Sequence, residues 1–192
     1  MHDLSTRATL TGAPERRSYA AEYQVRGIAN SKVELTGYAS VFDAGYSMQD
    51  GFGDYTEIVR RGAFATTLGT TPDVAYLTNH AGLTMARTLS GSLRLAEDRT
   101  GLHTVATVNI ARGDVRDLVT AIEDGDVDQM SFGFRVVQQE WSPDFGQRSM
   151  LELDLHRGDV SAVNFGASPT TSVSTSTSGS SSLLDLVLDL TA

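Results

Sequence analysis

The chain has 192 residues, a length for one domain with or without a tail. Its 15 Lys and Arg against 24 Asp and Glu leave a formal net charge of −9, and no basic run is longer than Arg16-Arg17 or Arg60-Arg61. Such a chain is a poor nucleic-acid binder, because phosphate contacts need clustered cations, and with 0 Cys it has no disulfide scaffold, thiol nucleophile or thiolate zinc site.

The apolar share, 40% before 18 Gly are added, is that of a folded domain. No apolar run approaches the roughly 20 residues of a membrane helix, so no membrane partner is expected. Residues 1–20 carry charges throughout, as expected of a chain without a secretory leader. A reducing, cytoplasmic compartment is compatible with the absence of Cys.

Residues 1–21 are polar and are expected to form a loose N-terminal segment. From Glu22 the pattern turns β-like: Val33-Glu34-Leu35-Thr36-Gly37-Tyr38-Ala39 alternates and runs into Ser40-Val41-Phe42. Residues 43–55 read as a glycine-rich loop. Their Asp residues lack calcium-loop spacing and Gly51-Phe52-Gly53 is not a phosphate loop, so turn chemistry is the reading. A short helix is predicted over 56–68, with Thr56 as cap and Gly69 as stop. Strands are predicted at 74–80, 89–95 and 102–110, with a turn at Glu97-Asp98-Arg99-Thr100-Gly101. Asp114 opens the best helix: Val115, Leu118, Val119 and Ile122 recur at i, i+3, i+4 and i+7, and Gly125 ends it. Residues 130–137, 151–155 and 160–165 complete the strands.

Short strands with two helices, without βαβ alternation, predict a mixed, mainly antiparallel β domain over 22–167, built as a partly closed β-barrel flanked by a few helices. Residues 168–182 are nearly all Ser and Thr and read as a flexible linker. Residues 183–192 follow as a short apolar helix or tail with Asp185 and Asp189 on one face. It either meets a partner surface or folds back on its own domain.

Three segments carry side chains suited to chemistry. In a strand, Met130, Phe132, Phe134 and Val136 face a core while Ser131, Gly133 and Arg135 face away. Ser131 is then either a solvated hydroxyl or a nucleophile with open space beside it at Gly133. His80 ends Val74-Ala75-Tyr76-Leu77-Thr78-Asn79-His80, where an imidazole serves as a cap or as a general base. Asp159, after Arg157-Gly158, is either a turn residue or a carboxylate able to orient an imidazole. His2, His103 and His156 read as structural or solvated. No His pair has the i, i+4 spacing of a metalloprotease helix, so neither a metal nor another cofactor is expected.

Taken in order, these segments resemble the tailed-phage (caudovirus) prohead protease family. The resemblance rests on Gly37-Tyr38-Ala39-Ser40-Val41-Phe42-Asp43, Glu57-Ile58-Val59-Arg60-Arg61-Gly62-Ala63-Phe64, Leu77-Thr78-Asn79-His80 and Glu97-Asp98-Arg99-Thr100-Gly101-Leu102. It continues through Met130-Ser131-Phe132-Gly133-Phe134 and Asp159-Val160-Ser161-Ala162-Val163 with Ala167-Ser168-Pro169. It implies a serine endopeptidase similar in fold to the herpesvirus assemblin proteases, with His80 as base, Ser131 as nucleophile and Asp159 as third member. The family more often has Glu at Asp159 and Gly at Ala86, and His156 competes for the third role. The implied partners are the phage major capsid protein and a scaffold protein or scaffold segment, cleaved, with the protease itself, inside the assembling prohead in the host cytoplasm. A homo-oligomer is compatible with this reading. The competing class is a non-catalytic capsid- or scaffold-binding module that keeps the protease fold.

Overall fold

The computed structural model describes residues 12–165. These form twelve strands and two helices. In chain order the elements are β1 (Pro14–Ala20), β2 (Gln24–Ile28), β3 (Lys32–Val41), β4 (Gly45–Asp50), β5 (Gly53–Val59), α1 (Ala65–Gly69), β6 (Ala75–Thr78) and β7 (Ala81–Arg87). They continue with β8 (Leu93–Glu97), β9 (Gly101–Asn109), α2 (Gly113–Glu123), β10 (Gln129–Trp141), β11 (Gln147–Asp154) and β12 (Asp159–Val163). No helix among the described residues is long and apolar enough to cross a membrane.

The fold is mixed and mostly β, arranged as two sheets. One runs β4-β5-β11-β10-β12-β6-β7, with β1 also paired to β10; the other runs β2-β3-β9-β8. The strand β10 is the spine. Arg135 pairs with both Pro14 and Asp154, and Phe132 with both Arg17 and Val160. A residue has only two edges to pair across, so β11 and β12 lie end to end along one edge of β10, and β1 lies along the other. Outside them, β5 runs parallel to β11 and β6 parallel to β12. The second sheet packs through β3 onto β1 and β10. Both sheets are open, and no closed barrel forms among the described residues.

The core face of β10 follows the alternation in its sequence: Met130, Phe132, Phe134 and Val136 are all buried. Phe132 stacks on Phe134 at 4.7 Å and meets Phe64 edge-on at 5.5 Å, and Tyr19 packs on its other side at 6.2 Å. The helix α2 buries the four apolar residues expected of it, and Gly125 follows with φ +80°, a left-handed residue past the helix end.

Several segments depart from the sequence reading. Residues 14–20, expected to be loose, form β1, because Arg17, Ser18 and Tyr19 are buried against β10. The expected loop at 43–55 is mostly the hairpin β4–β5. The helix predicted over 56–68 is confined to Ala65–Gly69: Glu57 and Val59 are buried at a spacing of two, a strand period, and pair with β11. Residues 81–87 form an unanticipated strand, and the one predicted over 89–95 begins only at Leu93. The linker at 168–182 and the apolar segment at 183–192 lie outside the described residues.

A buried charge cluster holds β1, β5 and β11 together on the core face. Glu57 is 0% exposed. Its carboxylate accepts hydrogen bonds from Arg17 Nε at 2.5 Å and Nη2 at 2.8 Å, from Arg148 Nη1 at 2.8 Å, and from the Tyr46 hydroxyl. Glu15 completes the cluster, accepting from Arg148 Nη2 at 2.8 Å and Arg17 Nη2 at 2.6 Å. Two guanidinium groups thus meet two carboxylates, and a buried charge persists only when so compensated. Burial alone would push the Glu15 carboxyl up. Hydrogen bonding and attraction to Arg148, then Arg17, outweigh it and hold Glu15 below its ordinary value.

Arg17→Met, which leaves Glu57 with one cation fewer, is expected to lower the unfolding free energy by about 3 kcal/mol or more, read by denaturant melts at neutral pH. The depressed Glu15 carboxyl stabilises the folded chain above the ordinary carboxylate range of about pH 4, and this contribution is lost as pH falls through the lowered value. The fall in unfolding midpoint between pH 5 and pH 3 (roughly the titration range of carboxylates) is therefore expected to be shallower for Glu15→Gln than for the parent chain.

Candidate active site

Three elements converge on the face of β10 opposite its aromatic core. Ser131 lies on β10, paired with Ser18 of β1 on one edge and Ser161 of β12 on the other. Directly opposed residues point to the same face of a sheet, so the three hydroxyl-bearing side chains share it. Ser131 is 0% exposed. The sequence reading placed this hydroxyl on an open surface with empty space at Gly133; the structure instead buries it and fills that space. A Cβ added at Gly133 would lie 3.0 Å from Asp159 Oδ1, so the absent side chain makes room for a carboxylate.

His80 is delivered by a tight turn. β6 and β7 pair up to Thr78 and Ala81, leaving Asn79 and His80 as a two-residue hairpin loop. Both have positive φ, 49° and 57°, as the favoured primed turns of such loops require. Asn and His are among the non-glycine residues that tolerate this region. The turn is pinned to the end of β12 and the residue just beyond it: Asn79 N–H donates to the Ala162 carbonyl at 2.8 Å, and the Asn164 N–H donates to Asn79 Oδ1 at 3.1 Å. The imidazole is thereby folded back over β12.

Asp159 opens β12 after an excursion at 155–158 that separates β11 from β12. The excursion includes Arg157 at φ 58°. It closes with Gly158, whose N–H donates to the Leu155 carbonyl at 2.9 Å. A Cβ on Gly158 would fall 2.2 Å from the Gly133 carbonyl oxygen, so the two glycines let β12 re-enter the sheet beside β10.

The side chains then form a chain of hydrogen bonds. Ser131 Oγ is 2.7 Å from His80 Nε2, and His80 Nδ1 is 2.6 Å from Asp159 Oδ2. Asp159 Oδ2 also accepts the Ser161 hydroxyl at 2.5 Å. An ionised carboxylate only accepts, so Nδ1 carries a proton, and in the neutral ring Nε2 then turns its lone pair to the Ser131 hydroxyl. The His80 and Asp159 side chains are each 13% exposed. Burial pushes the Asp159 carboxyl up. The hydrogen bonds from His80 and Ser161, together with attraction to His80 and Arg16, outweigh it and hold the carboxyl below its ordinary value. Hydroxyl, imidazole and carboxylate in this order can turn a hydroxyl into a nucleophile.

The structure thus brings His80, Ser131 and Asp159 together and leaves His156 apart. His156 is exposed, and its Nδ1 accepts the N–H of Asp73, two residues before β6 begins, at 3.3 Å. His103 packs against Tyr38 in the other sheet. His2 lies outside the described residues. Ala86, where the resemblance leads us to expect Gly, is 3% exposed and pairs with Tyr76 inside the β6–β7 hairpin. Sequence reasoning gave no role to Ser161; its spacing of two from Asp159 was the signal, because alternation puts both on one strand face.

A family model described as caudovirus prohead serine protease matches residues 21–185. No curated protein and no solved structure matches the chain. The family match spans most of the sequence, and the chain belongs to that family.

Gly133→Ala is expected to displace the Asp159 carboxylate and to slow labelling of Ser131 by a fluorophosphonate, with a denaturant midpoint close to that of the parent. Gly158→Ala, whose Cβ meets backbone that cannot yield, is expected to lower the midpoint as well.

Proposed function

We propose that this prohead serine protease family member is an active serine endopeptidase that cleaves scaffold protein, or the scaffold segment of the major capsid protein, and itself as the prohead matures. The observation that carries the reading is the unbroken contact from Ser131 Oγ through the His80 ring to Asp159. Family membership supports a protease role in phage maturation and partners of the capsid or scaffold class.

On this reading the reaction runs through the same three side chains. As Ser131 Oγ attacks the scissile carbonyl carbon, its proton passes to His80 Nε2. The collapsing tetrahedral adduct breaks the C–N bond, and His80 returns that proton to the departing amine. Water attacks the acyl-enzyme next, giving a proton to His80, which passes it to Ser131 Oγ as the ester bond breaks. Asp159 accepts the Nδ1–H throughout, fixing the tautomer and stabilising the imidazolium formed at each transfer. Because Ser131 is 0% exposed, a peptide reaches it only when the groups above it part. That same burial favours the second reading, a binding module that keeps the fold without catalysis.

Purified protein concentrated with capsid or scaffold substrate discriminates between them. Cleavage is expected with the parent chain, abolished by Ser131→Ala and by His80→Ala, and lowered about 10⁴-fold by Asp159→Asn, which offers the imidazole an amide in place of a charged acceptor. Cleavage that survives Ser131→Ala, or none by the parent chain under these conditions, overturns the enzyme reading.

A further inference from the structure

We infer that Ser161 is a positioning residue, a fourth member of the site that acts through Asp159 and His80; this inference rests on the reading of Ser131 as the nucleophile. Ser161 lies in the middle of β12, directly opposite Ser131, and is 0% exposed. A buried hydroxyl must find partners for its proton and its lone pairs. Ser161 spends both on the site: it donates to Asp159 Oδ2 at 2.5 Å and accepts the backbone N–H of His80 at 3.3 Å.

Each contact has a separate consequence. The first fixes the rotation of the Asp159 carboxylate. Oδ2, the oxygen that accepts from His80 Nδ1, is also the one held by Ser161, so the oxygen presented to the imidazole is determined by a group on the same strand. The second anchors the main chain of His80 where it sits in the left-handed region at φ 57°, a conformation that persists for a side-chain-bearing residue only where its surroundings hold it. One hydroxyl therefore sets the carboxylate and the backbone of the imidazole relative to each other. Register explains why no neighbouring residue replaces it: Ala162 and Val160 point to the core face, and both are buried there.

The role predicts a specific pattern across variants. Ser161→Ala deletes both contacts. Ser161→Thr and Ser161→Val add the same bulk, and only Thr keeps the hydroxyl. With the full-length chain and a scaffold-derived peptide, Ser161→Ala is expected to lower kcat roughly tenfold or more per fluorophosphonate-titrated site, with KM nearly unchanged, since hydrogen bonds to charged groups carry that much. Thr is expected to recover most of the rate that Val loses. A purely structural role would lower the folded fraction and leave the rate per titrated site as it was. Full kcat in Ser161→Ala, or equal rates for Thr and Val, overturns the inference while leaving the enzyme reading intact. A parent chain without Ser131-dependent cleavage overturns the enzyme reading itself, and this inference with it.

Discussion

The hydrogen bond from His80 Nδ1 to Asp159 Oδ2 is the constraint to which the other contacts of the site are subordinate. Its two residues are far apart in the chain, and neither strand could bring them together alone. β6 and β12 run parallel, with Asp159 beside Ala75 at the start of β6 and His80 just past its end. An imidazole at the end of a straight strand would point away from that carboxylate. The hairpin at Asn79 and His80 reverses the chain within two residues and carries the ring back along β12, over Ser161, until it lies between Asp159 and Ser131. The 2.6 Å contact is therefore a property of the sheet pairing and the turn acting together.

The spine β10 connects this site to the rest of the molecule. On one face it carries Ser131; on the other, one residue to either side, Met130 and Phe132 are locked into the core. Displacing Ser131 means displacing an aromatic cluster, which costs far more than rotating a surface serine. The charge cluster of Arg17, Glu57, Arg148 and Glu15 extends the same rigidity sideways, joining β1 to β5 and β11. The strand β1, which flanks Ser131 through Ser18, is thus held by compensated charge as well as by its ladder.

Much of the site could be read from the sequence because it obeys alternation. Met130 to Val136 showed which residues faced the core, and His80 lay where a strand signal stopped. At Asp159 the residues left two readings, a turn after Gly158 or a carboxylate orienting an imidazole, and the family resemblance favoured the second. What could not be read depends on pairing between distant segments. β1 is polar enough to resemble a loose end, and its ladder to β10 together with the buried partners of Arg17 makes it a strand. Thr56 as a cap and Gly69 as a stop gave residues 56–68 a helical cast, yet the Glu57 carboxylate is buried at a strand period against two guanidinium groups that no local pattern brings near. The burial of Ser131 was missed for the same reason: one strand reveals its two faces, but not whether a hairpin from another part of the chain will cover the polar one.

The two-residue loop at Asn79 and His80 places an unusual restriction on how this chain can vary. Surface hairpins ordinarily absorb insertions and deletions at little cost. Here a single added residue would change the turn type, rotate the imidazole off the face of β12 and release Asn79 from Asn164. Length polymorphism, peptide tags and circular-permutation breakpoints belong at other connections, such as the exposed turn at 142–146, while the β6–β7 connection is confined to point substitutions.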